Sequence, residues 1–209
     1  IQSHSRVPHE RRGNCAMSRR TGPGLRSRSA EGRLMGKRSD FERIPRDFYP
    51  TPIEAVYPLV FHLPCRTTYS EPCAGDGALI DHLTSAGHRC MVAYDILPKR
   101  HDIRQGDGLK AKNSLKMGDY IITNPPWDRK ILHPMIEHFS ALRPTWLLFD
   151  ADWMHTKQST PFMPWLRKVV SVGRVKWIPD SKHTGKDNCA WHLFDQHREG
   201  PTEFYGRAA

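Results

Sequence analysis

The sequence predicts an α/β fold: an open, mostly parallel sheet of seven strands that ends in an antiparallel hairpin, behind a disordered basic tail. Three observations carry this expectation. Short β-branched and aromatic runs such as Tyr120-Ile121-Ile122 and Trp146-Leu147-Leu148-Phe149 alternate with stretches whose apolar residues recur at helical spacing, the pattern of strands joined by crossover helices. Successive runs lead into turns that carry glycine or aspartate, residues suited to reversing the chain. The last two runs are joined by the loop 179–188, so they can pair antiparallel.

Residues 1–40 are rich in Arg, Ser and Gly and nearly free of large apolar side chains, and such a segment buries too little surface to fold alone. The printed chain begins at Ile1, and Met17 or Met35 could be the initiator. The expected organisation is a tail at 1–40 and one domain at 41–209, without internal repeats. Order begins at Asp47-Phe48-Tyr49-Pro50-Thr51-Pro52. Thr51 is placed to cap a helix with Pro52 at its first position, and Ile53, Val56, Tyr57 and Val60 give that helix a buried face. Thr67-Thr68-Tyr69 reads as a strand, and the following helix turns Leu79, Ile80 and Leu83 inward and stops at Gly87. Residues 90–94 form the next strand, ending at Asp95, and a weaker one near Ile103 precedes Gly106-Asp107-Gly108. The strand 120–122 is followed by a helix through Ile131, Met135 and Phe139, and the strand 146–149 ends at Asp150. Residues 164–170 read as a helix, and 174–178 and 190–194 as the closing strands.

Charge is unevenly placed. Residues 1–46 hold 12 Lys and Arg against 4 Asp and Glu, whereas the rest of the chain holds 20 against 18. A basic arm on a nearly neutral domain suits a polyanion, most simply nucleic acid, although a solvated tail has the same composition. The odd set Cys15, Cys65, Cys73, Cys90 and Cys189, without a CxxC pair, fits reduced thiols in a cytoplasmic compartment. The scattered histidines make no HExxH or Cys/His cluster, so no metal is expected. No apolar run reaches the length of a membrane span.

In open α/β sheets ligands sit at the carboxyl ends of the strands, and this rule gathers the chemistry-bearing residues at one edge. The turn Gly75-Asp76-Gly77 lets a ligand approach the backbone, although a tight strand-to-helix turn needs the same glycines. Ala78, Leu79 and Ile80 follow it, so the third glycine of a dinucleotide fingerprint is missing. Asp95 is placed to accept ribose hydroxyls and Asp107 to meet an adenine amine, and either alone also fits a solvated loop. In Thr123-Asn124-Pro125-Pro126-Trp127 two successive prolines end the strand ladder and stiffen the turn. One amide, its neighbouring carbonyls and one large ring suit a flat polar molecule; a turn with a packing tryptophan is the plain alternative.

Glu71-Pro72-Cys73-Ala74-Gly75-Asp76-Gly77 followed by Asn124-Pro125-Pro126-Trp127 resembles the S-adenosylmethionine-dependent DNA adenine methyltransferases, a branch of the Rossmann-like class I methyltransferases. The segment from Asp47 to Pro52 is similar to the part of these enzymes that folds over the methionine end of the cofactor. Trp177-Ile178-Pro179 with Asn188-Cys189-Ala190-Trp191-His192-Leu193-Phe194 resembles the closing hairpin of small phage-type members. The resemblance runs from about Asp47 to Asp195. It implies S-adenosylmethionine as cofactor, held by Tyr49, Thr51, Pro52, Glu71, Pro72, Cys73, Ala74, Gly75, Asp76, Gly77, Asp95, Ile96, Asp107 and Gly108. It implies a catalytic loop of Asn124, Pro125, Pro126 and Trp127, and DNA as partner, its target adenine flipped out of the duplex.

Release-factor glutamine and some RNA guanine methyltransferases share the Asn-Pro-Pro-aromatic motif, so RNA and protein amines remain alternative substrates. A non-catalytic nucleic-acid-binding protein of the same fold is a further alternative. DNA-specific members usually carry an added target-recognition region. Here only the loops 128–130, 152–161 and 181–188 offer room for one.

Overall fold

The computed structural model describes residues 49–178 and 185–207. The basic tail, Asp47, Phe48, Pro179 and the adjoining residues to 184 lie outside the described residues. Eight strands form one sheet: β1 (Thr68–Glu71), β2 (Arg89–Asp95), β3 (Arg104–Gln105), β4 (Tyr120–Thr123), β5 (Thr145–Asp150), β6 (Leu166–Arg174), β7 (Asn188–Phe194) and β8 (Glu203–Tyr205), in the order β3-β2-β1-β4-β5-β7-β6-β8. Strands β1 to β5 run parallel, and β7 enters antiparallel between β5 and β6. The mostly parallel sheet and closing hairpin of the expectation are therefore present. β8 is an addition, pairing parallel with β6.

The central strands are buried on both faces. Ile122, Trp146 and Leu148 face one core with α1 (Ile53–Val60) and α2 (Ala78–Ser85), through Ala55, Val56, Leu59, Leu79 and Leu83. Ile121, Leu147 and Phe149 face the other, where α3 (Arg129–Ser140) contributes Leu132, Met135, Ile136 and Phe139. Adjacent residues thus alternate between cores, as the two-residue strand period requires. Trp153 and Phe162, from the 3-10 stretches Ala151–His155 and Lys157–Trp165, complete the second core. No helix among the described residues is long and apolar enough to cross a membrane, and no group of metal-ligating side chains gathers among them.

Several local expectations are corrected. Thr51 does not cap α1, whose N-cap is Pro52 without a side-chain cap. The Thr51 hydroxyl is taken up elsewhere. Ile53 and Tyr57 point outward, at 48% and 62% exposure, while Ala55 and Leu59 take the inner positions beside Val56. Ile131 is likewise exposed. Residues 164–170 are no helix: the 3-10 stretch ends at Trp165 and β6 begins at Leu166, so the hairpin strand expected at 174–178 lies earlier. The weak third strand shifts to Arg104–Gln105.

Gly87 does end α2. Its φ of +87° is left-handed, Gly87 N–H donates to the Thr84 carbonyl at 2.9 Å, and His88 N–H donates to that of Leu83 at 2.9 Å. This pair of bonds satisfies carbonyls that the helix end leaves open.

Candidate active site

The carboxyl ends of β1, β2 and β3 bring the first set of expected residues together. After β1 the chain turns through Gly75 and Gly77, both at positive φ. Ala74 N–H donates to the Tyr94 carbonyl at 2.8 Å, and Lys99 N–H to that of Gly75 at 3.0 Å, so the turn is sewn to β2 and the loop beyond it. Asp95 completes the seam. One of its carboxylate oxygens accepts Gly75 N–H at 2.8 Å and the other accepts Leu97 N–H at 2.8 Å. The acid expected to meet a ribose fixes the glycine turn, and its two oxygens retain capacity for further donors. Ile96 lies exposed just beyond.

Asp76 accepts Ala78 N–H at 3.1 Å and so closes the start of α2. Asp107 accepts Leu109 N–H at 3.0 Å and starts a short 3-10 turn. Gly108 is pressed on the first turn: a Cβ there would lie 2.6 Å from Pro72 Cβ and 2.9 Å from its carbonyl oxygen. Only glycine lets the β3 loop approach Pro72 so closely.

Acids accumulate at this edge. Glu71, at the end of β1, is 1% exposed, and its Oε2 has no hydrogen-bond partner among the described residues. Burial above all, then Asp95 and Asp76, hold its carboxyl well above the usual range, with Arg100 opposing. Burial also pushes the Cys73 thiol up, with Asp95, Glu71 and Asp107 adding to it.

Arg100 was not singled out by the sequence, which offers no motif around it. Its guanidinium donates to both oxygens of Asp81, at 2.7 and 2.8 Å, and to Asp102, at 2.9 and 2.7 Å. It lies across Gly77, where a Cβ would fall 2.4 Å from Nη1.

The second set gathers at the end of β4. Asn124 is half-buried between the buried Thr123 and Pro125. Its Nδ2 donates to Thr51 Oγ1 at 3.1 Å. Trp127 donates its indole N–H to the Leu148 carbonyl at 3.2 Å, which pins the loop to β5. Its ring meets Trp177 edge-to-face, with centroids 5.7 Å apart at 87°, and Trp177 lies 6.4 Å from Tyr49. Tyr49 and Thr51, both assigned by resemblance to the cofactor, therefore stand with the Asn124 loop. Trp177 lies outside the expected site residues, although it opens one of the segments that carry the resemblance.

Beyond the loop, Arg129 donates to Asp150 at 3.0 Å, while its Nη1 is buried without a partner among the described residues. Asp150 is pushed above the ordinary carboxylate range by burial, against the pull of Asp152 N–H and Arg129. Both sets border the α3 side of the sheet, where Cys73 and Trp127 pack on the same core and Cys73 Sγ lies 4.0 Å from Met135 Sδ.

No family model and no curated protein matches the sequence. Solved structures do. A protein of Listeria monocytogenes assigned to the class I S-adenosylmethionine-dependent methyltransferases matches at a TM-score of 0.55 with 8% identity, over 78% of this chain and 67% of that one. A Pyrococcus horikoshii protein assigned as an RNA methyltransferase matches at 0.47 with 15% identity, over 72% and 87%. A modification subunit assigned to a type I restriction enzyme of Vibrio vulnificus matches at 0.48 with 12% identity, over 78% and 47%, so this chain spans about half its length. The fold is that of the Rossmann-like class I methyltransferases.

Proposed function

We propose that this is a cytoplasmic S-adenosylmethionine-dependent methyltransferase acting on the exocyclic amine of adenine in DNA, with the target base turned out of the helix. The observation that carries this reading is that one sheet edge holds both sets of residues, the glycine and acid turns after β1 to β3 and the Asn124 loop after β4. The residues present suit the cofactor. It is cationic at its reacting end, and Glu71 offers a buried, unpartnered oxygen among Asp76 and Asp95. Glu71 to Gly77, Asp95, Ile96, Asp107 and Gly108 would hold it. When bound, S-adenosylmethionine supplies an electrophilic methyl group on sulfur.

The chain's own residues act on the amine. An adenine amine is a poor nucleophile because its lone pair is delocalised into the ring. Asn124 Oδ1 and the Pro125 carbonyl accept its two N–H bonds, which favours a tetrahedral nitrogen with its lone pair free to attack. Preorganised acceptors and positioning supply the rate without a strong base, because the nitrogen sheds its surplus proton to solvent after it has gained the methyl group. Trp127, its N–H engaged with β5, offers its ring to the extruded base, an interaction worth about 1–3 kcal/mol in single-strand binders. The basic excess of residues 1–46 supports a polyanionic substrate.

Asn124→Ala tests the reading. It should abolish methyl transfer and leave the affinity for S-adenosylmethionine, read by calorimetry, within a few-fold of the parent. Full activity in the variant would refute the mechanism. Labelled cofactor offered with DNA, structured RNA or a glutamine-containing protein separates the substrates: methyladenine in digested DNA supports the proposal, and label confined to RNA or protein moves it to those amines.

A further inference from the structure

The Asn124 side chain can hold an amine only one way round. Its oxygen accepts N–H bonds, whereas its NH2 would meet an amine donor to donor. Among the described residues, the one hydrogen bond of this side chain is Nδ2 to Thr51 Oγ1 at 3.1 Å, between residues 73 apart in sequence. A hydroxyl partner can donate or accept, so what it gives the amide is a fixed place, and here it accepts from the NH2 end.

We propose that Thr51 is a positioning residue for the amine side of the site, anchoring the Asn124 side chain through its NH2 and leaving Oδ1 as the end available to an incoming amine. The proposal rests on the amine-methylating reading above. Thr51 is suited to the task because it is itself held. It is 6% exposed, and a β-branched side chain has few rotamers to choose from. It stands immediately before Pro52, the N-cap of α1. That helix start is fixed to the sheet: Ala55 N–H donates to the Pro52 carbonyl at 3.0 Å, and the Trp191 indole of β7 donates to the Ala55 carbonyl at 2.7 Å. Ala55, Val56 and Trp191 are fully buried. The hydroxyl is thus carried on the same rigid sheet as the Asn124 loop, whose own stiffness comes from Pro125, Pro126 and the Trp127 bond to Leu148. Losing the hydroxyl leaves a half-buried NH2 without its partner and frees the side chain to move.

Two substitutions and two readouts test this. Thr51→Val keeps the shape and removes the acceptor, while Thr51→Ser keeps the acceptor. The side-chain amide resonance of Asn124 is assigned by its disappearance in Asn124→Ala, and its 15N order is then measured in each protein. The expected result is an ordered amide in the parent and in Thr51→Ser and a mobile one in Thr51→Val. With DNA and saturating S-adenosylmethionine, Thr51→Val should lower kcat by about tenfold to a hundredfold, with Thr51→Ser restoring most of it and cofactor affinity changing little. An amide equally ordered in Thr51→Val overturns the proposal. So does an unchanged kcat with a raised KM for cofactor, which would make Thr51 a cofactor ligand only. If the parent methylates no amine, the functional reading falls, and the order measurement still decides whether Thr51 holds Asn124.

Discussion

Glu71 is a carboxyl held out of water with one oxygen unpartnered, and this has a stability consequence of definite sign. A carboxyl whose folded pKa is raised above its unfolded value of 4.5 loses stability as pH rises from that value toward the folded pKa. Glu71→Gln removes this loss while keeping the shape. It should raise the melting temperature at pH 7 to 8 more than at pH 4, by thermal unfolding. If Oε2 also faces the cofactor cation, the same change weakens S-adenosylmethionine binding. A variant that melts lower at every pH would show that Glu71 is held by bonds its burial does not reveal.

At the scale of the element, two glycines with nearly the same φ separate backbone strain from crowding. Among the described residues, Gly87, at +87°, has nothing within 4 Å of where a Cβ would stand, whereas at Gly77, at +82°, that Cβ meets Arg100. Alanine at either position carries a left-handed penalty of about 1–2 kcal/mol. At Gly77 it must also push Arg100 off Asp81 and Asp102, half-exposed pairs worth up to about 1 kcal/mol. Gly77→Ala should therefore be the more destabilising by denaturant titration, and the gap should close in an Arg100→Ala background. Equal costs in the parent would mean that Arg100 moves aside freely.

Gly87 was legible in the sequence as a helix stop, because that role is local. The role of Arg100 was not, because it depends on a contact across 23 residues. β6 was misread for a related reason. Its register shifts between Leu166 and Lys168 and again between Ser171 and Gly173, so Leu166, Val169 and Val170 are buried at helical spacing although the backbone is extended. β8 carries no burial signal, since all its residues are exposed. On α1 the outward stripe of Ile53 and Tyr57 is as apolar as the inward one, so periodicity alone could not choose the phase. The Asn124 loop and the glycine turn were legible because each is a short contiguous chemistry, but the Thr51 bond that joins α1 to the loop was not.

Across the whole molecule, the balance of buried titratable groups sets the pH at which the fold weakens. His62, His88, His133, His138 and His192 are all held below 6.5, in each case first by burial. His192 is the extreme, brought to about 3 by burial. It lies in β7, stacked on Phe149 at 3.9 Å and 12°, and neither ring nitrogen has a side-chain partner among the described residues. Below 6.5 the unfolded chain takes up protons that these rings refuse, so stability falls as pH drops from 6.5 toward about 3. Glu71 and Asp150 oppose this, since each carboxyl raised by burial favours the fold on the acid side. His192→Phe should therefore flatten the loss of stability between pH 6.5 and 4.5, the phenyl ring keeping the stack on Phe149. Glu71→Gln should steepen it over the same interval. Denaturant titrations at half-unit pH steps read both slopes, and profiles parallel to the parent in both variants would place the acid sensitivity in other groups.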